Sequence, residues 1–305
     1  MLVAKGEANY EKPLTFDLFD GKYTCASSTI RSEGEAKSII ADLAPPFSVT
    51  AVDKKEVKRY PGAPYITSTL QQDAGRKLYF SSKRTMQIAQ QLYEEGFITY
   101  HRTDSVNLSE KFMSEARDFI RESYGDPYIP EIARRFQTKS KVAQEAHEAI
   151  RPTEVSRQIE EIRNQKDFNK DHVRLYELIW KRAVASQAAE AVFDSTTIII
   201  TSANAYRFET QGSIVKFDGF LKIYGRENGD VELPPVKTGD SLKLAQAIPQ
   251  AHETQPPPRY SEASLVRVLE EKDIGRPSTY APIISTIQER QYVAREEKRL
   301  VPTEL

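Results

Sequence analysis

Two kinds of hydrophobic spacing alternate along this chain. Near the N-terminus, Leu14, Phe16 and Leu18 alternate with polar or turn-forming neighbours, which is typical of a β-strand with one buried face. The Asp20-Gly21 pair supplies a hairpin turn before a second strand from Tyr23 to Ala26. These patterns predict that the first section of the chain is a β structure.

A helix and a further strand follow this hairpin. The helix is predicted from Glu35 to Leu43, and it ends at Pro45-Pro46 because proline cannot continue a helix. The segment from Phe47 to Val52 is rich in β-branched and aromatic residues, which predicts a strand.

From about residue 60 to 190 the hydrophobic spacing becomes helical. One helix has N-cap candidates at Ser81-Ser82, a C-terminal cap at Gly96, and apolar positions at helical spacing: Met86, Ala89, Leu92 and Tyr93. Three more helices are predicted: one from Ser109 to just before Gly125, one up to Pro152, and one from Asp171 to Ala189.

The β pattern returns after the helical block, with strands predicted at Ser195–Thr201, Tyr206–Glu209, Ile214–Tyr224 and Leu242–Ala247. A helical block between two β blocks predicts one β domain whose chain is interrupted by a helical domain. After a proline-rich linker that ends at Pro258, Ser261 is expected to cap a helix that runs through Lys272. A turn, a second helix and a charged hairpin follow, which is the outline of a winged helix-turn-helix.

Composition narrows the function classes. The 43 Lys and Arg residues nearly balance the 44 Asp and Glu residues, so the net charge of −1 argues against a histone-like coat but leaves room for a local DNA groove. The single cysteine excludes an internal disulfide and a multi-cysteine zinc site. No apolar run approaches the roughly 20 residues of a membrane span, and the start lacks a signal peptide, so we expect a cytoplasmic protein without membrane contact.

The stretch Gly96-Phe-Ile-Thr-Tyr-His-Arg-Thr-Asp-Ser105 is the most informative for chemistry. If it is extended, Tyr100 and Arg102 project from the same side. A phenol beside a guanidinium suits attack on a phosphodiester, because the guanidinium binds non-bridging oxygens and favours the phenolate. A buried tyrosine followed by a capping Thr-Asp-Ser would explain the same residues, and this alternative stays open at this point.

Two further clusters have similar alternatives. His147 and Arg151 lie four residues apart and could hold a phosphate from one helix face, although a lone histidine is more often a structural hydrogen-bonding residue. Ser278 and Thr279 are expected at the start of a helix, where free N–H groups favour phosphate, but an ordinary cap after a Gly-Pro turn explains them too.

Taken together, these clusters resemble the bacterial type IA DNA topoisomerases. The resemblance is in GFITYHRTDS (96–105), QEAHEAIRPT (144–153) and IGRPSTYAPIISTIQERQYV (274–293), with PGAPYITSTLQQDA (61–74) and FDSTTI (193–198) adding to it. It implies an enzyme that cuts single-stranded DNA through a 5′-phosphotyrosine, passes another strand through the gap and reseals it. The resemblance also implies that ATP is not needed and that negatively supercoiled DNA is relaxed.

The resemblance also implies the residue roles. Tyr100 would be the nucleophile, Arg102 would stabilise the scissile phosphate, and His147 would bind it or move protons. DNA-binding residues would be Gln90, Glu94, Thr99, Thr103, Asp104, Arg151, Arg276, Ser278 and Thr279. The implied fold is a multi-domain α+β protein. A β-rich arch at 1–59 and 188–255 is split around a helical tyrosine domain at 60–187, and part of a winged-helix-like domain follows at 256–305.

This chain departs from the family in one important respect. The family binds Mg²⁺ in an N-terminal domain with an acidic D-x-D pattern, and no such pattern is found here. We therefore expect a monomeric fragment without a metal site of its own that does not relax DNA alone. His101 stands at a variable position of the motif, so the topoisomerase part of reverse gyrase remains an alternative within the same resemblance. The other hypotheses are a noncatalytic winged-helix module at 261–301 and a tyrosine recombinase or relaxase-like nuclease.

Overall fold

A computed structural model describes residues 14–18, 21–25, 32–137, 148–157, 159–226, 229–248 and 256–304. The described chain mixes helices and strands, which confirms the mixed α and β content expected from the sequence. It divides into two compact units. The strand unit comprises Met1–Arg59, Ala191–Asp218 and Glu227–Pro258, and the helical unit comprises Tyr60–Glu190, Gly219–Arg226 and Arg259–Leu305.

The strand unit contains two antiparallel sheets among its described residues. One sheet has the order β2-β1-β7, formed by β1 (Leu14–Leu18), β2 (Gly21–Cys25) and β7 (Leu244–Ala247). The other has the order β5-β4-β3-β6, formed by β3 (Phe47–Arg59), β4 (Ala191–Thr201), β5 (Arg207–Phe217) and β6 (Ser241–Leu242). Helix α1 (Glu33–Asp42) is capped at its N-terminus by Ser32, whose side chain accepts a hydrogen bond from the backbone N–H of Glu35.

The core of the strand unit lies where β3, β4 and β5 place alternate side chains on one face. Phe47, Val49, Ile198, Ile200 and Phe208 are all buried there. Beyond Val52, β3 continues through a charged, exposed stretch to Arg59 because it pairs along its whole length with β4. The strand predicted at 47–52 is therefore confirmed, but the prediction ends seven residues too early. Residues 53–59 have no alternation of apolar and polar side chains that would predict a strand.

The helical unit contains most of the helices. Its elements are α2 (Thr67–Asp73), which continues as a π-helical turn at Ala74–Leu78, α3 (Ser82–Glu94), α4 (Glu110–Tyr124), α5 (Ile159–Arg163), α6 (Lys170–Ala185), α7 (Leu221–Tyr224), α8 (Glu262–Glu271), α9 (Tyr280–Glu289) and the hairpin of β8 (Val293–Glu296) with β9 (Arg299–Pro302). One buried cluster includes Tyr65, Leu70, Ile88 and Leu92. A second cluster forms around Phe112 on α4.

Serine side chains cap three of these helices, and the caps predicted at Ser81 and Ser261 are confirmed. The hydroxyls of Ser81, Ser109 and Ser261 each accept a hydrogen bond from a backbone N–H in the first turn of α3, α4 and α8. Glu262, at the start of α8, also accepts a 2.8 Å hydrogen bond from the backbone N–H of Ser82 at the start of α3. A contact between residues so far apart in sequence shows that α8 belongs to the same packed unit as α2 and α3.

Two predicted elements are wrong. Residues 148–152 are not helical: Ile150 forms an isolated β-bridge with Tyr65, and Pro152 forms one with Ile98. The helical conformation is unfavourable for Arg151 because it precedes a proline, and the two bridges give the backbone of this segment hydrogen-bond partners outside a helix. The predicted strand 214–224 ends at Phe217, and Leu221–Tyr224 is a helix. Gly219 forces the break, because a Cβ there would collide with the carbonyl of Glu190.

Within the part of the chain that the structure describes, no helix has both the length and the apolar character needed to cross a lipid bilayer.

Candidate active site around Tyr100

The segment that carries Tyr100 is held in place on its N-terminal side by the strand-like residues 149–153. Helix α3 ends at Glu94 with Glu95 as its C-cap residue, and Gly96, with a φ of +71°, turns the chain out of the helix. The backbone N–H of Thr99 donates to the carbonyl of Arg151 over 2.9 Å, and the Thr99 hydroxyl donates to the carbonyl of Ala149 over 2.6 Å. Thr99 therefore fixes the backbone immediately before Tyr100.

The C-terminal side of the segment is held by Thr67, at the start of α2. The Thr67 hydroxyl donates to the carbonyl of His101 over 2.8 Å and accepts from the N–H of Thr103 over 2.9 Å. The N–H of Thr67 donates to the carbonyl of Thr103, also over 2.9 Å. The Thr103 hydroxyl is buried and accepts from the N–H of Ser105 over 3.1 Å, so it stabilises the turn from inside.

Exposure alternates along the segment. Tyr100 is 43% exposed and Arg102 is exposed, whereas His101 and Thr103 are buried. The phenol and the guanidinium thus both reach solvent, two residues apart on a backbone that is pinned at both ends. Such a pair can contact an external phosphodiester.

Helix α3 contributes polar and aromatic groups beside this segment. The amide of Gln90 donates a 2.6 Å hydrogen bond to the carboxylate of Glu94. The ring of Tyr93 packs edge-to-face against the ring of Tyr100, with centroids 5.3 Å apart. The apolar spacing of α3 predicted Tyr93 as part of the helix pattern, but not that it would contact the candidate nucleophile.

A groove of about 850 Å³ in the helical unit runs between α3 and α9 and includes Arg102. It brings together Gln90, Arg102 and Ser278, three candidates from separate motifs of the sequence. The other polar side chains in its lining are Lys83, Arg84, Gln87, Gln91, Ser285, Thr286 and Glu289. The ammonium of Lys83 lies 3.8 Å from the carboxylate of Glu289, so this ion pair joins α3 to α9 across the groove.

The turn before α9 exposes Arg276, Ser278 and Thr279. Thr279 is the N-cap residue, but its hydroxyl accepts from the N–H of Arg276 over 2.7 Å instead of capping the helix. Gly275 has a φ of +81°, and a Cβ at this position would crowd Ile283 and Thr279. The tight turn therefore needs glycine, and it presents the following residues to solvent at the start of α9.

Arg151 is mainly a structural residue in this geometry. Its side chain is only 13% exposed, and its guanidinium donates to the Glu148 carboxylate over 2.9 and 2.5 Å. The same group donates to the carbonyl of Pro152 and lies over the ring of Phe112. These contacts leave Arg151 little capacity for DNA. His147 lies outside the described residues, so its place relative to Tyr100 stays a prediction.

The electrostatics of the site depend on burial. The pKa of His101 is lowered to about 4, first by burial and then by the positive charge of Arg102, against a smaller opposite effect of Glu94. Burial also raises the pKa of Tyr280, helped by nearby Glu270 and, to a smaller extent, by the half-buried Asp104. His101 is therefore neutral near pH 7, which leaves Arg102 as the cation beside Tyr100.

The described residues do not fit a metal site. They contain no group of three or more His, Cys, Asp or Glu side chains arranged to hold a metal ion. Glu94 and Asp104 are the acidic candidates near Tyr100, and the Glu94 carboxylate accepts from Gln90.

Comparisons with known proteins show the family of the chain. The family model described as DNA topoisomerase matches residues 5–305. The chain belongs to this family. It is 47% identical to DNA topoisomerase 1 of Rickettsia bellii, over 91% of this chain and 36% of that protein. It is 46% identical to DNA topoisomerase 1 of Rickettsia felis, over 95% of this chain and 40% of that protein.

A solved structure of a DNA topoisomerase supports the same family at the level of the fold. Full-length topoisomerase I from Thermotoga maritima matches with a TM-score of 0.84 and 35% identity, over 98% of this chain and 50% of that chain. The chain thus spans between about a third and a half of the length of these relatives. The bacterial topoisomerase resemblance of the sequence motifs is confirmed, and the family is one of isomerases that act on DNA.

Proposed function

We propose that this chain is the strand-cleaving part of a type IA topoisomerase and that Tyr100 is its nucleophile. The observation that supports this most is the exposed Tyr100–Arg102 pair on a pinned backbone, beside a groove lined by Gln90, Arg102 and Ser278. The phenol oxygen attacks a backbone phosphorus of single-stranded DNA and forms a 5′-phosphotyrosine. The 3′ oxygen leaves and takes a proton, and the phenol loses its proton.

Arg102 acts on the phosphate in this proposal. Its guanidinium binds the non-bridging oxygens, where negative charge builds as the phenol attacks. The phosphotyrosine keeps the energy of the broken phosphodiester, so the 3′ hydroxyl can reseal the strand without ATP. The same residues act in both directions, because resealing is the reverse of cleavage.

The other residues hold the strand or the backbone. Gln90, Ser278, Arg276 and Thr279 are proposed DNA contacts, since they line the groove or are exposed beside it. Glu94 orients Gln90, while Asp104 adds a carboxylate near Tyr280. Thr99 and Thr103 support the backbone on either side of Tyr100, so their contribution to DNA binding is indirect.

The family resemblance implies that Mg²⁺ would be held by an acidic D-x-D pattern in an N-terminal domain of the whole enzyme. The ion would supply charge stabilisation near the phosphate when it is bound. His147 is proposed to bind the phosphate or move a proton, on the strength of the family motif alone. No step here depends on either group.

At the level of the whole enzyme, we propose strand passage and relaxation of negatively supercoiled DNA by a monomer that works on DNA in the cytoplasm. The strand unit would be the split arch of the family, and the helical unit would combine its tyrosine domain with part of its winged-helix-like domain. This chain alone is expected not to relax DNA.

The test is a denaturing gel with a 3′-labelled single-stranded oligonucleotide. The chain is incubated alone and with a separately purified N-terminal metal domain of a relative plus Mg²⁺. A slow-migrating covalent adduct is expected with the added domain, and Tyr100→Phe should abolish it while the affinity for the oligonucleotide stays within about twofold.

The matched control is Tyr260→Phe, because Tyr260 is a tyrosine of similar exposure (49%) in the same unit, and its carbonyl accepts from the N–H of Leu300 in the terminal hairpin. This variant should form the adduct like the unmodified chain. An adduct that survives in Tyr100→Phe would contradict the proposal. Intact binding with no adduct in either condition would favour the noncatalytic DNA-binding module.

A further inference from the structure

Three aromatic rings form a closed triangle at the candidate nucleophile. The centroids of Tyr93 and Tyr100 are 5.3 Å apart, those of Tyr100 and His101 are 5.4 Å apart, and those of Tyr93 and His101 are 5.9 Å apart. The two pairs that include Tyr100 are edge-to-face, with interplanar angles of 67° and 66°. Edge-to-face contacts favour one ring orientation over others. Tyr100 therefore has an aromatic neighbour on α3 and another in its own segment.

His101 is the buried member of this triangle. It is fully buried, whereas Tyr93 and Tyr100 are 39% and 43% exposed. Among the described residues, neither of its ring nitrogens has a hydrogen-bond partner. Burying two polar atoms in this way costs free energy that an apolar side chain would not cost. A histidine that is kept for stability alone would not be expected in such surroundings.

The backbone of His101 is also fixed. Its carbonyl accepts a hydrogen bond from the Thr67 hydroxyl, which also accepts from the N–H of Thr103. The backbone of His101 is held by α2, and the ring of Tyr93, which contacts the imidazole, belongs to α3. Both surroundings of the imidazole are therefore fixed by helices. Its lowered pKa keeps it neutral, so it adds no second positive charge beside Arg102.

We propose that His101 is a positioning residue for Tyr100: its imidazole, seated against Tyr93, sets the orientation of the Tyr100 ring for attack on the DNA phosphate. This inference rests on the proposed function, since it needs Tyr100 to be the nucleophile. The flat ring is what matters, so another flat ring should substitute for it, whereas an aliphatic side chain of similar volume should not.

The first test measures the rate constant of adduct formation at saturating single-stranded oligonucleotide, with the metal domain of a relative and Mg²⁺ supplied. His101→Leu should lower this rate constant about tenfold, because misplaced reacting groups lose orientation, and should leave the affinity unchanged. His101→Phe should keep the rate constant within about threefold of that of the unmodified chain. Tyr93→Leu should lower it in the same direction as His101→Leu.

A matched control separates positioning from general stability. Ile120 is fully buried on α4, in the cluster around Phe112, and it is no part of the candidate site. Ile120→Ala should destabilise the fold yet leave the rate constant unchanged below its melting temperature. If Ile120→Ala slows adduct formation as much as His101→Leu does, the positioning role is wrong.

A spectroscopic measurement on the chain alone tests the same inference without catalysis. Tyrosines carrying a ¹³C label in the ring are followed by NMR, and the Tyr100 signal is assigned as the one lost in Tyr100→Phe. His101→Leu should shift and broaden this signal because the ring gains freedom, while His101→Phe should preserve a single sharp signal. An unchanged Tyr100 signal in His101→Leu would overturn the proposal.

The outcomes distinguish the two proposals. No adduct from the unmodified chain under any condition would reject Tyr100 as nucleophile, and the positioning role would fall with it. A Tyr100-dependent adduct whose rate is the same in His101→Leu would keep the proposed function and reject the role of His101.

Discussion

His101 and Arg102 are adjacent in sequence but lie in opposite surroundings. The imidazole is fully buried and neutral, and the guanidinium is exposed and charged. The Thr67 hydrogen bonds impose this alternation, because they fix the backbone from His101 to Thr103. At the scale of single residues, the site therefore depends on which side chains are excluded from water as much as on which are presented to it.

The buried imidazole predicts an acid sensitivity of the fold. The pKa of His101 is about 4 in the folded protein and would be about 6.5 in the unfolded chain, so the unfolded chain binds more protons between these pH values. The contribution of neutral His101 to stability is complete above about pH 6.5 and is lost as the pH falls toward 4, by on the order of 3 kcal/mol.

The measurement is urea unfolding at pH 7 and at pH 4.5. His101→Phe should lose less stability than the unmodified chain between these two pH values. The comparison isolates His101, because His172, whose pKa burial also lowers, is present in both proteins. Equal losses in the two proteins would show that His101 does not titrate as a buried group.

Thr67 gives a second prediction at the residue scale. Thr67→Val removes the hydroxyl that joins His101 to Thr103 and leaves buried backbone groups with fewer partners. The free energy of unfolding should fall by about 1–3 kcal/mol, as measured by urea titration. Thr67→Ser keeps the hydroxyl and should recover most of the loss; equal losses for Val and Ser would point to packing of the methyl group.

At the scale of elements, the pairing of α3 with α9 forms the groove. Lys83 and Glu289 bridge it as an exposed ion pair, which by itself contributes little stability. Its greater effect is electrostatic, since the Glu289 carboxylate places negative charge where a DNA strand would lie and occupies the ammonium of Lys83.

Glu289→Gln should therefore tighten binding of a single-stranded oligonucleotide roughly two- to fivefold at low salt, with the gain vanishing near about 1 M salt. Fluorescence anisotropy across a salt series checks this. The matched control is Glu271→Gln on α8, which breaks a comparable exposed pair with Arg267 outside the groove lining. If both variants gain affinity equally, the effect is one of net charge and the groove is not the binding surface.

Local signals in the sequence predicted much of the element scale. The serine caps of α3, α4 and α8 follow from side chains close to the helix starts that they cap, and the alternation from Leu14 to Leu18 predicted a strand that is found as β1, paired with β2. What could not be predicted depends on distant partners. Residues 148–152 are extended because they meet Tyr65 and Ile98, and α9 reaches Arg102 only through tertiary packing.

The candidate site divides in the same way. Tyr100 and Arg102 could be proposed from chemistry and from their spacing, since both lie in one short motif. The burial of His101, the contact of Tyr93 with Tyr100 and the commitment of Arg151 to Glu148 could not be, because a sequence does not state which face of a segment packs inward. The family resemblance supplied roles, and the geometry divides them between groups that reach solvent and groups that support the backbone.

At the scale of the whole molecule, the chain passes repeatedly between the strand unit and the helical unit. Neither unit is one continuous segment, and the backbone N–H of Ser82, at the start of α3, donates a hydrogen bond to the carboxylate of Glu262, 180 residues further along the chain. A ribosome must therefore release the last part of this sequence before the helices around Tyr100 can complete their packing. Contacts between residues far apart in the sequence form slowly. The nascent chain would therefore expose the apolar faces of α2 and α3 to solvent for much of its synthesis, and this is the period in which binding by chaperones would prevent aggregation.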